Sequence, residues 1–355
     1  MNTKGKKRIL VAPLNWGLGH ATRCIPIINA LIANHFEPVI ASDGEALRLL
    51  QKEFPQLQAL ELPSYNITYS KKANSFKLKL IKDSPSLLKT IKREKKVTES
   101  LIKSENISGI ISDNRFGVRQ KNVPSVFITH QLRVLSGSTT WLSSKLHQNI
   151  ISKFDECWVP DHVGTKNLSG DLGHIEGYKS SIKYLGPLSR FERQDLEKKY
   201  DLLVVLSGPE PQRSFLEVKL LDELQSFNGE VCFVKGLIEN EQRKIISNHI
   251  TTYNFMTSQE LEKALNESEL VLSRSGYTSI MDYAKLEKKA FLIPTPGQFE
   301  QEYLAKKFED EKVAPTCKQK DFKIDMLNDI ENYSGFKYLQ YDLNYKKLFS
   351  LFQGK

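Results

Sequence analysis

The sequence predicts an α/β protein of two doubly wound, Rossmann-like domains facing a cleft. Three observations lead there. Short apolar runs alternate with helical patterns, the mark of parallel sheets covered on both faces. The alternation breaks near residue 183 and restarts near residue 202. Each half also places glycine- or serine-bearing loops directly after its apolar runs. With 355 residues the chain can build two cores of ordinary size.

The first half opens with strand Ile9–Ala12 and a Gly-containing loop, Pro13 to His20. A helix follows to about Ala33, with Pro26 tolerated only near its start. Glu37–Ala41, Ser108–Ser112, Ser125–Thr129 and Glu156–Val159 read as further strands, each a short β-branched or aromatic run bounded by turn residues. Lys183–Phe191, with Gly186 and Pro187, reads as a linker.

The second half restarts with strand Leu202–Leu206, a Gly/Pro loop and a helix. Val231–Val234 is the next strand. Thr257 and Glu260 form a capping box that opens a helix. Strand Leu270–Ser273, helix Ser275–Leu286, strand Phe291–Ile293 and helix Phe299–Phe308 complete the unit. The expected domains are 1–185 and 190–335, with residues 336–355 a closing helix carrying Leu339, Leu343, Leu348 and Phe352.

Composition is that of a folded protein, 40% apolar and 26% charged. No apolar run approaches the roughly 20 residues that span a bilayer. The basic start, Met1 to Arg8, lacks the apolar core of a signal peptide, so a cytoplasmic protein is expected. Cys24, Cys157, Cys232 and Cys317 are far apart, without a C-x-x-C pair, which argues against zinc and disulfide frameworks. Net charge is +9, which favours anionic partners. Ten basic residues fall between Lys71 and Lys96 against Asp83 and Glu94 alone. With Phe76, Leu78, Leu80, Ile81, Leu87, Leu88 and Ile91 interleaved, the run reads either as a solvated basic helix or as a surface for anionic headgroups.

In doubly wound sheets ligands bind beyond the carboxyl ends of the strands. Asn15 to Arg23 occupies such a place. Gly17 and Gly19 let backbone approach a ligand, the helix start suits an anion, and His20 can take a proton from a hydroxyl. Thr22 stands where a dinucleotide fingerprint needs its third glycine. Ser275, Gly276 and Thr278 line a helix start suited to a diphosphate, and Asp282, taken as solvent-facing, lies about two turns on, placed to accept ribose hydroxyls. The loop from Pro294 to Glu302 crowds Gln298, Glu300, Gln301 and Glu302 at a third helix start. Asp113 and His130 follow strands at the cleft edge and are candidates to bind acceptor or orient His20.

Taken together, these loops resemble those of the GT-B glycosyltransferases related to the lipid-II-forming N-acetylglucosaminyltransferase and the galactolipid synthases, a family-28-like group. Gly17, Gly19 and His20 match the family's Gly-rich GH loop, and Ser273, Arg274, Ser275 and Gly276 its S-R-[AS]-G helix start. The family's ribose-holding carboxylate, usually Glu, is here Asp282, and its paired Gln is here Gln301-Glu302 with Gln298 upstream. The second domain's first loop departs from the Gly-rich form: Pro209 and Pro211 remove amides, leaving Gly208 and Arg213 to meet phosphate. Trp16 stands where the lipid-II enzyme has small residues.

The resemblance implies inverting transfer of a sugar from a nucleoside diphosphate, UDP by preference, to a hydroxyl, lipid-linked acceptors included. No cofactor is expected. No D-x-D occurs, so no metal is expected either, and dipoles with Arg213 or Arg274 would stabilise the leaving UDP. Peripheral attachment at the inner face of the cell membrane is the corresponding location. Two rivals remain: a nucleotide-sugar epimerase or hydrolase, hinted at by Glu300 and Glu302, and a nucleic-acid-binding protein using the basic face. The basic run has few stacking aromatics, so nucleic acid is not the expected partner.

Overall fold

The computed structural model describes residues 5–65, 76–175, 181–337, 339, 341 and 343–354, and side chains outside 76–85 and 138. The chain forms two compact units. One comprises residues 1–68, 77–188 and 341–355, the other 69–76 and 189–340.

The first unit holds a seven-stranded parallel sheet. Its strands are β1 Arg8–Pro13, β2 Glu37–Ser42, β3 Ala59–Glu61, β4 Ile107–Asp113, β5 Ser125–Ile128, β6 Glu156–Val159 and β7 Ile182–Tyr184. They run in the order β3-β2-β1-β4-β5-β6-β7. The central strands are apolar in their middles because helices cover both faces. Leu10, Ala12, Val39, Ala41, Ile107 and Ile110 are buried together on one of them. Helices α1 Gly19–Ala33, α2 Gly44–Glu53, α3 Phe76–Ser104 and α4 Thr140–Ile151 make the crossovers.

The second unit holds β8 Tyr200–Val205, β9 Val231–Val234, β10 Lys244–Ser247, β11 Ile250–Tyr253, β12 Ser268–Ser273 and β13 Lys289–Leu292. Their order is β10-β11-β9-β8-β12-β13, with only the β10–β11 pair antiparallel. Helices α5 Gln212–Glu223, α6 Ser258–Asn266, α7 Tyr277–Leu286 and α8 Phe299–Asp310 pair with them. The capping box of α6 forms as expected, with Thr257 N donating to Glu260 Oε2 at 2.8 Å.

Four expectations are corrected. Pro26 is the eighth residue of α1 rather than near its start. Having no N–H, it leaves the Thr22 carbonyl without its helical donor, and the buried Ile25, Ile27, Ile28 and Leu31 hold the helix in compensation. The stretch read wholly as a linker begins inside β7, a three-residue edge strand too short to show a pattern. The closing helix is instead α9 Tyr345–Leu348 and a 3-10 turn, Phe349–Phe352. That turn belongs to the first unit, where Phe349 meets Phe36 and Trp158, and Phe352 lies so close over Gly109 that a Cβ there would clash at 2.4 Å. The fourth is Asp282, which is buried and described below.

Of the basic run, Lys71 and Lys72 lie outside the described residues, as do the side chains of 76–85. Lys89, Lys92, Arg93, Lys95 and Lys96 are exposed along α3, while Glu94 between them is fully buried. Among the described residues no helix is long and apolar enough to cross a membrane.

Candidate active site

In the first unit, β1, β4 and β5 are parallel, with Pro13 level with Asp113 and Asp113 level with Ile128. Their carboxyl ends therefore share one edge. That edge brings together three residues far apart in sequence: His20 opening α1, Asp113 ending β4, and His130 just past β5. His20 Nδ1 lies 2.8 Å from Asp113 Oδ1. Arg23, one turn along α1 from His20, sits at the centre. Its Nε donates to Asp113 Oδ2 at 2.5 Å, its Nη2 to Asp113 Oδ1, and its Nη1 lies 3.1 Å from His130 Nδ1.

Arg23 Nη2 also lies 2.7 Å from His20 Nδ1. A guanidinium only donates, and this one already serves Asp113. The assignment that keeps the Arg–Asp pair has Nδ1–H donate to the Asp113 carboxylate and leaves the lone pair on Nε2. Burial, and next the Arg23 charge, hold His20 below its usual 6.5. Asp113 is wholly enclosed. Burial alone would raise its carboxyl, but Arg23 and His20 prevail and bring it to about 2. The result is a neutral imidazole backed by a permanent carboxylate, with its side chain 14% exposed.

Asp113 and His130 thus face His20 and Arg23, with Asp113 wholly enclosed and His130 buried. Gly17, at φ +77° with open space around it, makes the turn that only glycine adopts freely, and Gly19 starts α1. Trp16 is exposed beside them.

In the second unit β8, β12 and β13 are likewise parallel, so their following loops share an edge. These loops are tied to one another. Ser275 Oγ donates to the Gln301 carbonyl at 2.8 Å, and Thr295 N donates to Gln301 Oε1 at 2.8 Å. Arg274, almost fully buried, reaches the carbonyls of Ile293, Pro294 and Gln212 and the side chain of Gln319. Burial draws it down to about 10. Gly208, at φ +104°, faces Thr295 with room for a Cβ. Gly276 is the N-cap of α7, has no side-chain cap, and opens onto free space. Thr278 is half-buried in the first turn, and Gln298 is the N-cap of α8.

Several expected roles change. Arg274 and Gln301 brace the loops, so neither presents its charged or carbonyl end to a ligand. Arg213 is held between Glu210 at 2.6 Å and Glu217 at 2.6 Å, so its charge is already matched. Glu302 caps the amide of Gly297 at 2.9 Å, which removes it from the carboxylate cluster an epimerase would want. Asp282 is only 8% exposed and accepts the Ser189 hydroxyl at 2.6 Å. Burial pushes its carboxyl up to about 6, against the opposing pull of Arg190 and Ser189. It follows the apolar face of α7 inward, beside Met281 and Tyr283, rather than facing solvent.

Sequence reasoning missed Arg23 and Ser189. The i, i+3 spacing from His20 was the available signal for Arg23; Ser189 was hidden inside the linker. Among the described residues no group of three or more His, Cys, Asp or Glu is placed to hold a metal ion, and the four cysteines are unpaired.

Residues 210–332 match the glycosyltransferase family 28 C-terminal domain. The chain is 25% identical over 292 residues to the UDP-N-acetylglucosamine–N-acetylmuramyl-(pentapeptide) pyrophosphoryl-undecaprenol N-acetylglucosamine transferase of Clostridium botulinum, spanning 78% of this chain and 75% of that one. Among solved structures, Acinetobacter baumannii MurG superposes with a TM-score of 0.53 at 12% identity, covering 92% of this chain and 89% of that chain. The glycosyltransferase SnogD from Streptomyces nogalater superposes with a TM-score of 0.59 at 12% identity, covering 92% and 90%. This chain carries a family 28 C-terminal domain and two Rossmann-like sheets of the GT-B fold, and it resembles the family-28-like glycosyltransferases.

Proposed function

We propose that the protein transfers a sugar from a UDP-linked donor to a hydroxyl acceptor, without a metal and with inversion. The observation that carries this reading is the His20–Asp113 pair, a neutral imidazole oriented at a strand edge. His20 Nε2 takes the proton of the acceptor hydroxyl as its oxygen attacks the anomeric carbon, and the bond from that carbon to the diphosphate breaks. Base catalysis of this kind contributes ~10²–10⁴-fold. Asp113 carries the imidazolium that results.

The second unit holds the donor. The uncapped start of α7 at Gly276, with Ser275 and Thr278, meets the diphosphate, and its dipole offsets the charge that develops on UDP. Gly208 gives the diphosphate a second close backbone approach. Asp282 accepts a ribose hydroxyl while retaining Ser189, since a carboxylate has about four acceptor positions. Gln298, at the α8 start, faces the sugar. The name of the botulinum relative includes UDP-N-acetylglucosamine, which supports UDP as the nucleotide. Its undecaprenol-linked acceptor supports a lipid-linked hydroxyl here, and the exposed cations of α3 suit an anionic membrane surface at the cytoplasmic face.

The test is a thermal-shift panel of UDP-, GDP-, CMP- and dTDP-sugars, run with and without EDTA. A ligand at about 100 times its Kd adds ~2.7 kcal/mol. Stabilisation by UDP-sugars alone, unchanged in EDTA, is expected. Stabilisation by none of the four, or only with added Mg²⁺, overturns the proposal.

A further inference from the structure

Arg115 is fully buried on the far side of the loop that carries His20. Its Nε donates to Glu94 Oε1 at 2.6 Å, and its Nη1 to Asp43 Oδ1 at 2.7 Å and to the Pro13 carbonyl at 3.4 Å. Its Nη2 donates to the Pro63 carbonyl at 2.6 Å. Glu94, reaching in from α3, uses its other oxygen to accept from Tyr65 Oη at 2.6 Å and Gly117 N at 2.7 Å. Asp43 passes the chain on: its Oδ2 accepts from Asn15 Nδ2 at 3.2 Å. Asn15 Oδ1 in turn accepts the Ala46 amide at 3.3 Å, capping α2 from across the loop.

We propose that Asn15 and Arg115 are positioning residues for His20, holding the loop between β1 and α1 through this buried chain of charges. The inference rests on the reading of His20 as the base. Three features of the geometry point to it. Asn15 ties the loop to Asp43 and to the start of α2 two residues before it turns at Gly17, so displacement there is passed to the imidazole five residues on. Asp113 and Arg115 flank Asn114, which sits at φ +57°, a left-handed conformation Asn tolerates. That single turn sends Asp113 to Arg23 and His20, and Arg115 to Glu94 and Asp43. The backbone joins the two sides again, because Leu14 N donates to the Asp113 carbonyl at 2.9 Å. A guanidinium enclosed with two carboxylates is also a costly way to join strand ends, since apolar residues of similar volume often do so at no loss. Its polar reach to Asn15 is what apolar residues would not supply.

The test is Asn15→Ala in the full chain, with Asn15→Ser as a milder second variant. The groups facing His20 are Arg23 from its own helix, Asp113 at the end of β4 and His130 after β5. A loosened loop admits water to the imidazole, so the NMR titration midpoint of the His20 ring, identified by its loss in His20→Ala, should rise toward 6.5. UDP release from the stabilising UDP-sugar should fall ~10- to 100-fold, as a displacement of about 1 Å can cause. UDP affinity should stay within about twofold. A folded Asn15→Ala with unchanged His20 midpoint and unchanged turnover overturns the proposal. A shifted midpoint with turnover retained supports the positioning and counts instead against His20 as base, as would full turnover in His20→Ala.

Discussion

His20 Nδ1 lies 2.8 Å from Asp113 Oδ1, and Arg23 clamps both oxygens of that same carboxylate. One carboxylate therefore sets the tautomer of the imidazole and matches a buried guanidinium. Replacing it separates the two duties. Asp113→Asn should lower turnover ~10²–10⁴-fold, the range of general-base effects. It should also destabilise the first unit by ~3–5 kcal/mol, because the buried Arg23 charge loses the carboxylate that matches it. Turnover measured below the variant's own unfolding midpoint distinguishes the two losses.

The rate should fall in acid through the titration of His20. Only the neutral imidazole accepts a proton, and burial with Arg23 holds its folded value below 6.5. Turnover is thus complete above 6.5 and lost as pH falls through the lower folded value. In Asp113→Asn the limb moves lower still, since the Asp113 charge and hydrogen bond are what raise His20. A pH–rate profile of both proteins checks the direction. A limb above 6.5 in the wild type contradicts it.

Asp282 reverses the usual sign of a carboxylate. Its folded value is raised from 3.8 to about 6, so the folded state binds the extra proton. The stability it contributes is present below 3.8 and lost as pH rises through about 6. Asp282→Asn keeps an acceptor for Ser189 and carries no charge. It should stabilise the second unit at pH 8, by an amount on the order of 2–3 kcal/mol, and change little at pH 3.5. Denaturant unfolding at the two pH values shows whether the gain is confined to the higher one.

The exposed cations of α3 give a membrane prediction. Charge reversal of Lys92, Arg93, Lys95 and Lys96 should cut binding to phosphatidylglycerol vesicles by more than tenfold, at about 1 kcal/mol per cation near the surface. Glu94 remains buried among them, so the fold should tolerate the change. Wild-type protein that ignores such vesicles even at low salt removes the support for peripheral attachment.

The strands and most helices of both units were legible because buried parallel strands are continuous apolar runs, as in Ile9–Ala12 and Val231–Val234. The edge elements were not. β7 and β3 have three residues each, and β10 has four, all exposed, so none is long or buried enough to carry the continuous apolar run of a core strand. For the site, loop positions were legible and side-chain duties were not. Sequence placed Asp113 and His130 near His20 but could not show that Arg23 joins them. It offered Arg213 and Arg274 as free cations, whereas carboxylates and carbonyls already match them. Partners 45 to 107 positions apart, such as Arg274 with Gln319 or Arg23 with His130, have no local pattern.

The most direct test of the account is calorimetric titration of UDP at pH 7.5 into the wild type, Asp282→Asn and His20→Ala. The donor is assigned to the second unit and the proton transfer to the first. Hydrogen bonds to a charged group are worth ~1.5–3 kcal/mol, so UDP affinity should drop about tenfold or more in Asp282→Asn, at ~1.4 kcal/mol per decade. His20→Ala should bind UDP as the wild type does while losing turnover. Equal UDP affinity in wild type and Asp282→Asn, or no UDP binding by the wild type, would contradict the donor assignment on which the proposed transfer depends.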